Sequence, residues 1–359
     1  MNSNLVSGQD KNDAAGWRAL QGLRHPLARP LGALAVLLLI DFFMIPGFFR
    51  IELKDGHLYG SVIDIVNRAA PLMLAALGMT LVIATRGIDI SVGAVVAISG
   101  TVAAMLIGGT MVMNNGVQEY ASNIPMGWAI AAAMGAAILC GAWNGLLVAT
   151  LGLQPIIATL ILMVAGRGLA QLMTDGQIIT VYYKPFFYIG SGYLFGLPFS
   201  LFIVAGMFIV LALLMRKTAL GLFIQSVGIN PVASRLAGIR TAALIFFVYI
   251  FCSACAGMAG LMISANIKSA DANNAGLLLE LDAILAVTLG GTSLAGGKFS
   301  LVGSVIGALI IQALTYTIYS LGVPPEVNMV VKSVVVFLVC LSQSPEFRRL
   351  RLFKSGNQV

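Results

Sequence analysis

Residues 242–265 read AALIFFVYIFCSACAGMAGLMISA and carry no charged side chain. About 20 apolar residues are enough to cross the ~30 Å hydrocarbon layer of a bilayer. Within that layer a helix keeps its backbone polar groups paired without help from solvent. Working outward, apolar runs bounded by charges or turn residues recur at 31–49, 62–85, 92–113, 127–150, 155–173, 198–215, 282–296, 301–322 and 327–343. Run 282–296 is short and holds Gly290, Gly291 and Gly296, which suits a broken or partial helix. The chain of 359 residues is 59% hydrophobic and 10% charged, with a mean hydropathy of +0.95. A water-soluble fold of this length has no interior large enough for that surface. The expected fold is an all-α polytopic membrane protein of about ten transmembrane helices.

The cations test this layout. With the N-terminus placed in the cytoplasm, only Arg50, Lys54, Lys184 and Lys268 fall on the outer side. Arg68, Arg167 and Lys332 fall inside spans, and the remaining Lys and Arg lie on the inner side. That excess is the positive-inside pattern, and an even number of spans returns the C-terminus to the cytoplasm. The net charge of +7 therefore reflects topology and gives no reason to invoke nucleic acid. Residues 1–30 read as a cytoplasmic tail against lipid headgroups, without a removable signal peptide. Residues 31–343 read as one transmembrane domain, and 344–359 as a second cytoplasmic tail.

Forty glycines are many for helices that cross lipid singly, and small faces allow helices to approach closely. Ten spans divide into five and five, and an odd number per half inverts the halves relative to each other. Leu74–Gly93 (LAALGMTLVIATRGIDISVG) and Leu281–Gly297 (LDAILAVTLGGTSLAGG) both pass from an apolar helix into a Gly/Ser-rich break. Such repeats and breaks are typical of transporters.

Several chemistries are missing. His25 and His57 are the only histidines, and neither lies in a span. Gly290–Lys298 (GGTSLAGGK) imitates a phosphate-binding loop, but Thr292 stands where its first Gly belongs and Phe299 replaces the magnesium-binding hydroxyl. Cys252-Ser-Ala-Cys255 reads as a small helix face rather than a redox or metal motif. Asp41 is the one acid deep in a span, whereas ion-coupled carriers keep acids at mid-membrane. The chain therefore has no cofactor of its own and no energy source of its own.

The cytoplasmic connection 216–241 is the longest between spans. Within it Asn230 is placed to cap a short helix, Pro231 to occupy its first turn and Gly238 to end it. A small capped helix on the inner face suits docking to a soluble partner.

Three stretches make the chain recognisable: Gly87-Ile-Asp-Ile-Ser-Val-Gly93, the loop Val227–Ile239, and Leu281–Gly297. They resemble the permease subunits of bacterial ATP-binding-cassette (ABC) importers for ribose, xylose, arabinose and galactose, over about residues 60–343. Within that group Ile63–Pro71, Gln154–Gly168 and Ala270–Gly276 are most similar to a galactofuranose importer's permease. Arg86 departs from the family pattern, which has Gly there, and is expected either to disturb the Gly87–Gly93 turn or to face headgroups. The resemblance implies a location in the bacterial inner membrane, a cytoplasmic ABC ATPase, a periplasmic sugar-binding protein and a second permease chain, related or identical. It also implies that Asn230, Pro231, Ala233, Ser234, Arg235, Leu236, Ala237 and Gly238 form the ATPase contact, and that Gly87, Asp89, Ser91 and Gly93 form a family motif.

Polar groups within spans are the candidates for the monosaccharide path: Asn67, Asn144, Gln154, Thr288 and Gln312. Arg68, Arg167 and Lys332 each lie about six residues, or ~9 Å, inside the outer end of a span. With Asp64, Glu280, Asp282 and Glu326 nearby, they are expected to form an outer polar ring that gates the path. The rival readings are the same fold carrying another pentose, hexose or nucleoside, and a self-sufficient carrier or channel.

Overall fold

The computed structural model describes residues 27–54, 56–114, 117–324 and positions 327, 329–331, 333–334 and 337–338. The expected C-terminal tail, most of the N-terminal tail, Glu326 and Lys332 lie outside the described residues. Among the described residues twelve helices are defined, in the order α1 Ala28–Met44, α2 Ser61–Ala84, α3 Val92–Ile107, α4 Met126–Ala149, α5 Pro155–Met173, α6 Lys184–Ser191, α7 Phe199–Lys217, α8 Leu220–Ile229, α9 Pro231–Leu236, α10 Thr241–Ile267, α11 Leu279–Leu289 and α12 Leu301–Ser320. Two-stranded ribbons decorate the loops: Glu52–Lys54 with His57–Tyr59, Thr110–Asn114 with Val117–Ala121, Ile179–Thr180 with Ser269–Ala270, and Tyr193–Leu194 with Leu197–Pro198.

Of these helices six (α2, α4, α5, α7, α10 and α12) are long and apolar enough to cross a membrane. Helices α1 and α3, with 17 and 16 residues, fall just short of that length. The run 92–113 is helical only to Ile107, because the chain turns at Gly108 (φ 48°) and Gly109 (φ 136°) into the second ribbon. The weakest run, 282–296, is the 11-residue helix α11 followed by an irregular loop. At 1.5 Å per residue it covers roughly half the hydrocarbon. Every described residue from 327 to 338 is helical.

Local chemistry explains the helix ends. Pro155 and Pro231 open α5 and α9 at the position where a missing N–H costs nothing. The Ser300 hydroxyl accepts from Gly303 N at 3.1 Å and starts α12.

Burial orders the bundle. Helix α2 is 78% buried over its apolar window, whereas α7 is 17% buried. The first therefore sits at the centre and the second at the rim. α2 and α10 pack on one another. Helix α4 packs on α10 and α3, as α12 packs on α2 and α11. This correspondence pairs α2 with α10, α3 with α11 and α4 with α12, as an internal two-fold repeat does. In that register the counterpart of the break before α3 is 268–278, before α11, rather than the stretch 290–297 that the sequence match suggests.

Small residues set these contacts. Gly78 of α2 lies against Cys252 and Cys255 of α10, both buried and free, so this cysteine pair is the packing face expected of it. Thr80 Oγ1 donates to Ser304 Oγ at 2.7 Å, and Thr317 Oγ1 donates to the buried Asp41 carboxylate, tying α2 and α1 to α12.

A side chain at Gly307 collides with the Ala286 carbonyl of α11, while one at Gly135 meets nothing within 4 Å. Gly307→Leu should therefore overpack the α11–α12 seam at a cost of about 1–3 kcal/mol. Gly135→Ala should be neutral or stabilising, since Gly in a helix is about 0.5–1 kcal/mol worse than Ala. Melting of the detergent-solubilised chain, followed by size-exclusion chromatography, should fall for the first variant and hold or rise for the second.

Candidate functional site

The break between α2 and α3 is built by its own polar residues. Thr85 closes α2 by donating its hydroxyl to Val82 O at 2.9 Å. Beyond it Asp89 Oδ1 accepts from Ser91 N at 2.9 Å and from Ser91 Oγ at 2.6 Å, a short acidic turn that launches α3. Asn144 of α4 donates through Nδ2 to Ser91 Oγ at 2.8 Å and to Asp89 Oδ1 at 3.4 Å. Ile90 N donates to Thr159 Oγ1 of α5 at 3.2 Å. Tyr249 of α10 closes the other side, its hydroxyl 2.6 Å from the place a Cβ at Gly87 would take. Asp89, Ser91, Asn144 and Tyr249 are all fully buried. The carboxylate at the start of α3 complements the helix dipole. In this conformation Asn144 therefore holds the break together instead of lining an open path.

The start of α3 also meets the start of α11. Gly93 lies against the Gly276 carbonyl and the Glu280 carboxylate, leaving no room for a side chain. Two incomplete helices thus present their N-terminal ends to each other, with Asp89 and Glu280 at the junction. Above it, Arg167 of α5 donates through Nη1 to Ala272 O at 3.1 Å and Ala275 O at 2.6 Å, pinning the loop 268–278. At the top of that loop the Asp271 carboxyl lies below its ordinary value. Burial pushes it up, but the Asn274 amide, the N–H groups of Asn274 and Asn273 and the charge of Arg167 outweigh that.

The expected outer ring does not assemble from Arg68 and Arg167. Arg68 is exposed and pairs with Asp64 one turn away, at 2.9 Å. An (i, i+4) pair on one helix satisfies its own charges locally, so Arg68 has no need to reach inward. Nor do the path candidates converge. Asn67 accepts a bond from Ser200 of α7, Thr288 donates to Leu285 O of its own helix at 2.9 Å, Gln154 is exposed at the start of α5, and Gln312 is half-buried on α12.

A second centre lies at the far ends of α2 and α8. Asn230 Oδ1 accepts from Val232 N and Ala233 N, each at 3.0 Å, and Gly238 follows α9 at φ 87°. The helix the sequence marks out is therefore present, capped and stopped as its residues require. Ser234 is buried beneath it, while Val232 and Leu236 of α9 and Ile229 at the end of α8 stand exposed. Gly228 abuts Ala84 O and Gly297 N, and Gly297 N donates to Ala84 O at 2.9 Å. Arg86 neither disturbs the Gly87–Gly93 turn nor reaches away from the fold. Its side chain donates to Ala295 O at 3.0 Å and Ile229 O at 2.5 Å. Two of the recognisable stretches, Val227–Ile239 and Leu281–Gly297, meet here against Ala84 and Arg86, which immediately precede the third. No residue-level signal announces that meeting, nor the roles of Tyr249 and Glu280. Among the described residues, no group of His, Cys, Asp and Glu is arranged to hold a metal ion.

Incomplete helices meeting in an apolar bundle, with a capped helix at one face, are features of membrane transporters. Residues 61–340 match the family described as branched-chain amino acid transport system / permease component, and the chain belongs to that family. It is 51% identical over 326 residues to a galactofuranose transporter permease protein of Escherichia coli K12, an alignment covering 90% of this chain and 92% of the relative. It is 42% identical to a fructose import permease protein of Bifidobacterium longum, covering 83% of this chain and 81% of the relative. To the ribose import permease protein of Escherichia coli K12 it is 37% identical, covering 87% and 92%. No solved structure matches the chain. It is a multi-pass membrane permease subunit and not an enzyme.

Replacing Asn144 by Leu leaves the buried Asp89 and Ser91 short of a donor, a loss of about 1–3 kcal/mol. Gln154→Ala, at an exposed helix start, should leave stability unchanged. Thermal melting of the two purified variants should separate them, and equal melting would remove Asn144 from the break.

Proposed function

We propose that this chain is the membrane subunit of an ATP-driven importer that carries galactofuranose across the bacterial inner membrane. The observation that carries the reading is 51% identity over nearly the whole chain with a permease named for that sugar, against 42% and 37% for those named for fructose and ribose. A periplasmic binding protein delivers the sugar and a cytoplasmic ABC ATPase supplies the energy. Both termini face the cytoplasm, consistent with the cation distribution. A second permease chain, related or identical, completes the path.

Helix α9 is the element we assign to the ATPase. Its exposed residues Val232 and Leu236 are apolar and stand on a capped helix with Ser234 buried beneath, and the exposed Ile229 at the end of α8 adjoins them. We read these apolar side chains, grouped on a capped helix on the inner face, as a protein contact. At the opposite end, the loop 268–278 held by Arg167 is the element placed to yield when the binding protein docks. Release of that loop would expose the junction of α3 and α11 to the incoming sugar.

Proteoliposomes containing this chain with its ATPase and binding protein should hydrolyse ATP faster with galactofuranose than with fructose or ribose. Stimulation by ribose or fructose alone would reassign the cargo. Uptake by vesicles holding only this chain would replace the ATP-driven reading with a self-sufficient carrier.

Leu236→Asp should cut sugar uptake at least tenfold, on the order of 1.4 kcal/mol of lost contact energy. Copurification of the ATPase should fall with it, while the isolated chain melts normally. Undiminished copurification would remove α9 from the contact.

A further inference from the structure

We propose that Arg86 is a coupling tie, a positioning residue that makes a movement of α9 move the ends of α2 and α11 with it. The proposal rests on the reading that α9 receives the ATPase.

Three observations converge on this residue. The first is its backbone. Arg86 has φ 65°, a left-handed conformation that any residue with a Cβ resists and that Gly adopts freely. Nothing in the turn itself needs a side chain at this position.

The second is what the side chain does. The guanidinium divides its donors between two carbonyls belonging to segments 209 and 143 positions away in the chain, Ala295 and Ile229. Its aliphatic stem lies over Gly296, where a Cβ would come within 2.5 Å of Arg86 Cγ. An arginine merely reaching for water or headgroups has no reason to settle on two carbonyls of the fold. Its planar fork is suited to holding two acceptors at fixed directions.

The third is where the two carbonyls sit. Ile229 immediately precedes Asn230, the cap of α9. Ala295 lies in the loop between α11 and α12, whose Gly297 N–H is bonded to Ala84 O at the end of α2. Arg86 itself lies three residues before Asp89, the centre of the buried knot that starts α3. A load on α9 therefore passes through Ile229 to Arg86, and from there into both helix breaks. Backbone contact at Gly228 resists compression, whereas the Arg86–Ile229 bond also resists separation of α9 from the end of α2.

The test uses the complete importer in proteoliposomes, with labelled galactofuranose as the transported probe and the variants R86G and R86K. R86G removes both bonds and relieves the left-handed backbone, so the variant should melt no lower than wild type. A Val232→Cys crosslink to the ATPase, made in the otherwise wild-type chain and in R86G, reports docking separately. The tie requires that R86G keep the crosslink and the rate of ATP hydrolysis while sugar delivered per ATP falls at least about fivefold, the low end of a typical coupling between two sites. It also requires R86K, which keeps a charged donor, to recover a substantial part of that ratio. An unchanged ratio in R86G with an intact crosslink overturns the tie alone. A lost crosslink in R86G shows that Arg86 only shapes the loop, and this too overturns it. Absence of the crosslink in the otherwise wild-type chain overturns the docking reading of α9 on which the tie depends.

Discussion

Hydrocarbon offers no hydrogen-bond partner to a peptide group, and every departure from a continuous helix in this chain has to be made good by the chain itself. The break at 85–91 shows how. Gly87 N donates to Val82 O, Ile90 N to Thr159 Oγ1 and Ser91 N to Asp89 Oδ1, while Ala84 O accepts from Gly297 N. Two of these partners come from distant elements, so the break exists only where α5 and the loop after α11 already stand beside it. A local irregularity thereby becomes a property of the whole bundle. The junction near Gly93 follows the same logic, with Glu280 carried by α11 to the first turn of α3.

This constraint also explains the distribution of small residues. Closing a backbone donor on a neighbouring helix requires the two backbones to approach within the length of one hydrogen bond, which excludes large side chains between them. Gly228 beside Ala84 and Gly297 is such a place, and Gly93 beside Gly276 is another. Elsewhere the glycines are less demanding: Gly135 and Gly206 have nothing within 4 Å. The abundance of glycine is therefore two populations, one imposed by crossings and one merely tolerated.

Elements governed by near neighbours in the chain are legible in the amino-acid sequence. The span 155–173 coincides with α5 because Pro155 and the apolar run define it locally, and Asn230, Pro231 and Gly238 announce α9 for the same reason. The break after α2 is visible as a cluster of Gly, Asp and Ser. Pairings across the bundle are not legible in this way. Arg68 and Arg167 occupy equivalent depths in their spans, yet one is satisfied by Asp64 on its own helix and the other by carbonyls of a loop more than a hundred residues away. Depth is a one-dimensional quantity, and it carries no information on which way a helix face turns. The same limit hides Tyr249, an aromatic in an apolar run, whose hydroxyl closes the pocket over Gly87.

The shortness of α11 decides how such a bundle can work. A full span packed on both sides resists displacement along its whole length, whereas an 11-residue helix packs over fewer turns and is tied besides at both ends, by a pinned loop above and a glycine-rich loop below. Its upper end is held by Arg167 through the loop 268–278 and its lower end by the contacts of Gly297 and Ala295 with Ala84 and Arg86. Rocking an 11-residue helix disturbs fewer packed turns than rocking a full span, which favours motion where the two incomplete helices meet. Events at either face of the membrane then act on one movable element, each through its own few hydrogen bonds. On the proposed reading the chain needs that arrangement, because the docking of a sugar carrier outside and the work of an ATPase inside must bias the same equilibrium to be coupled at all.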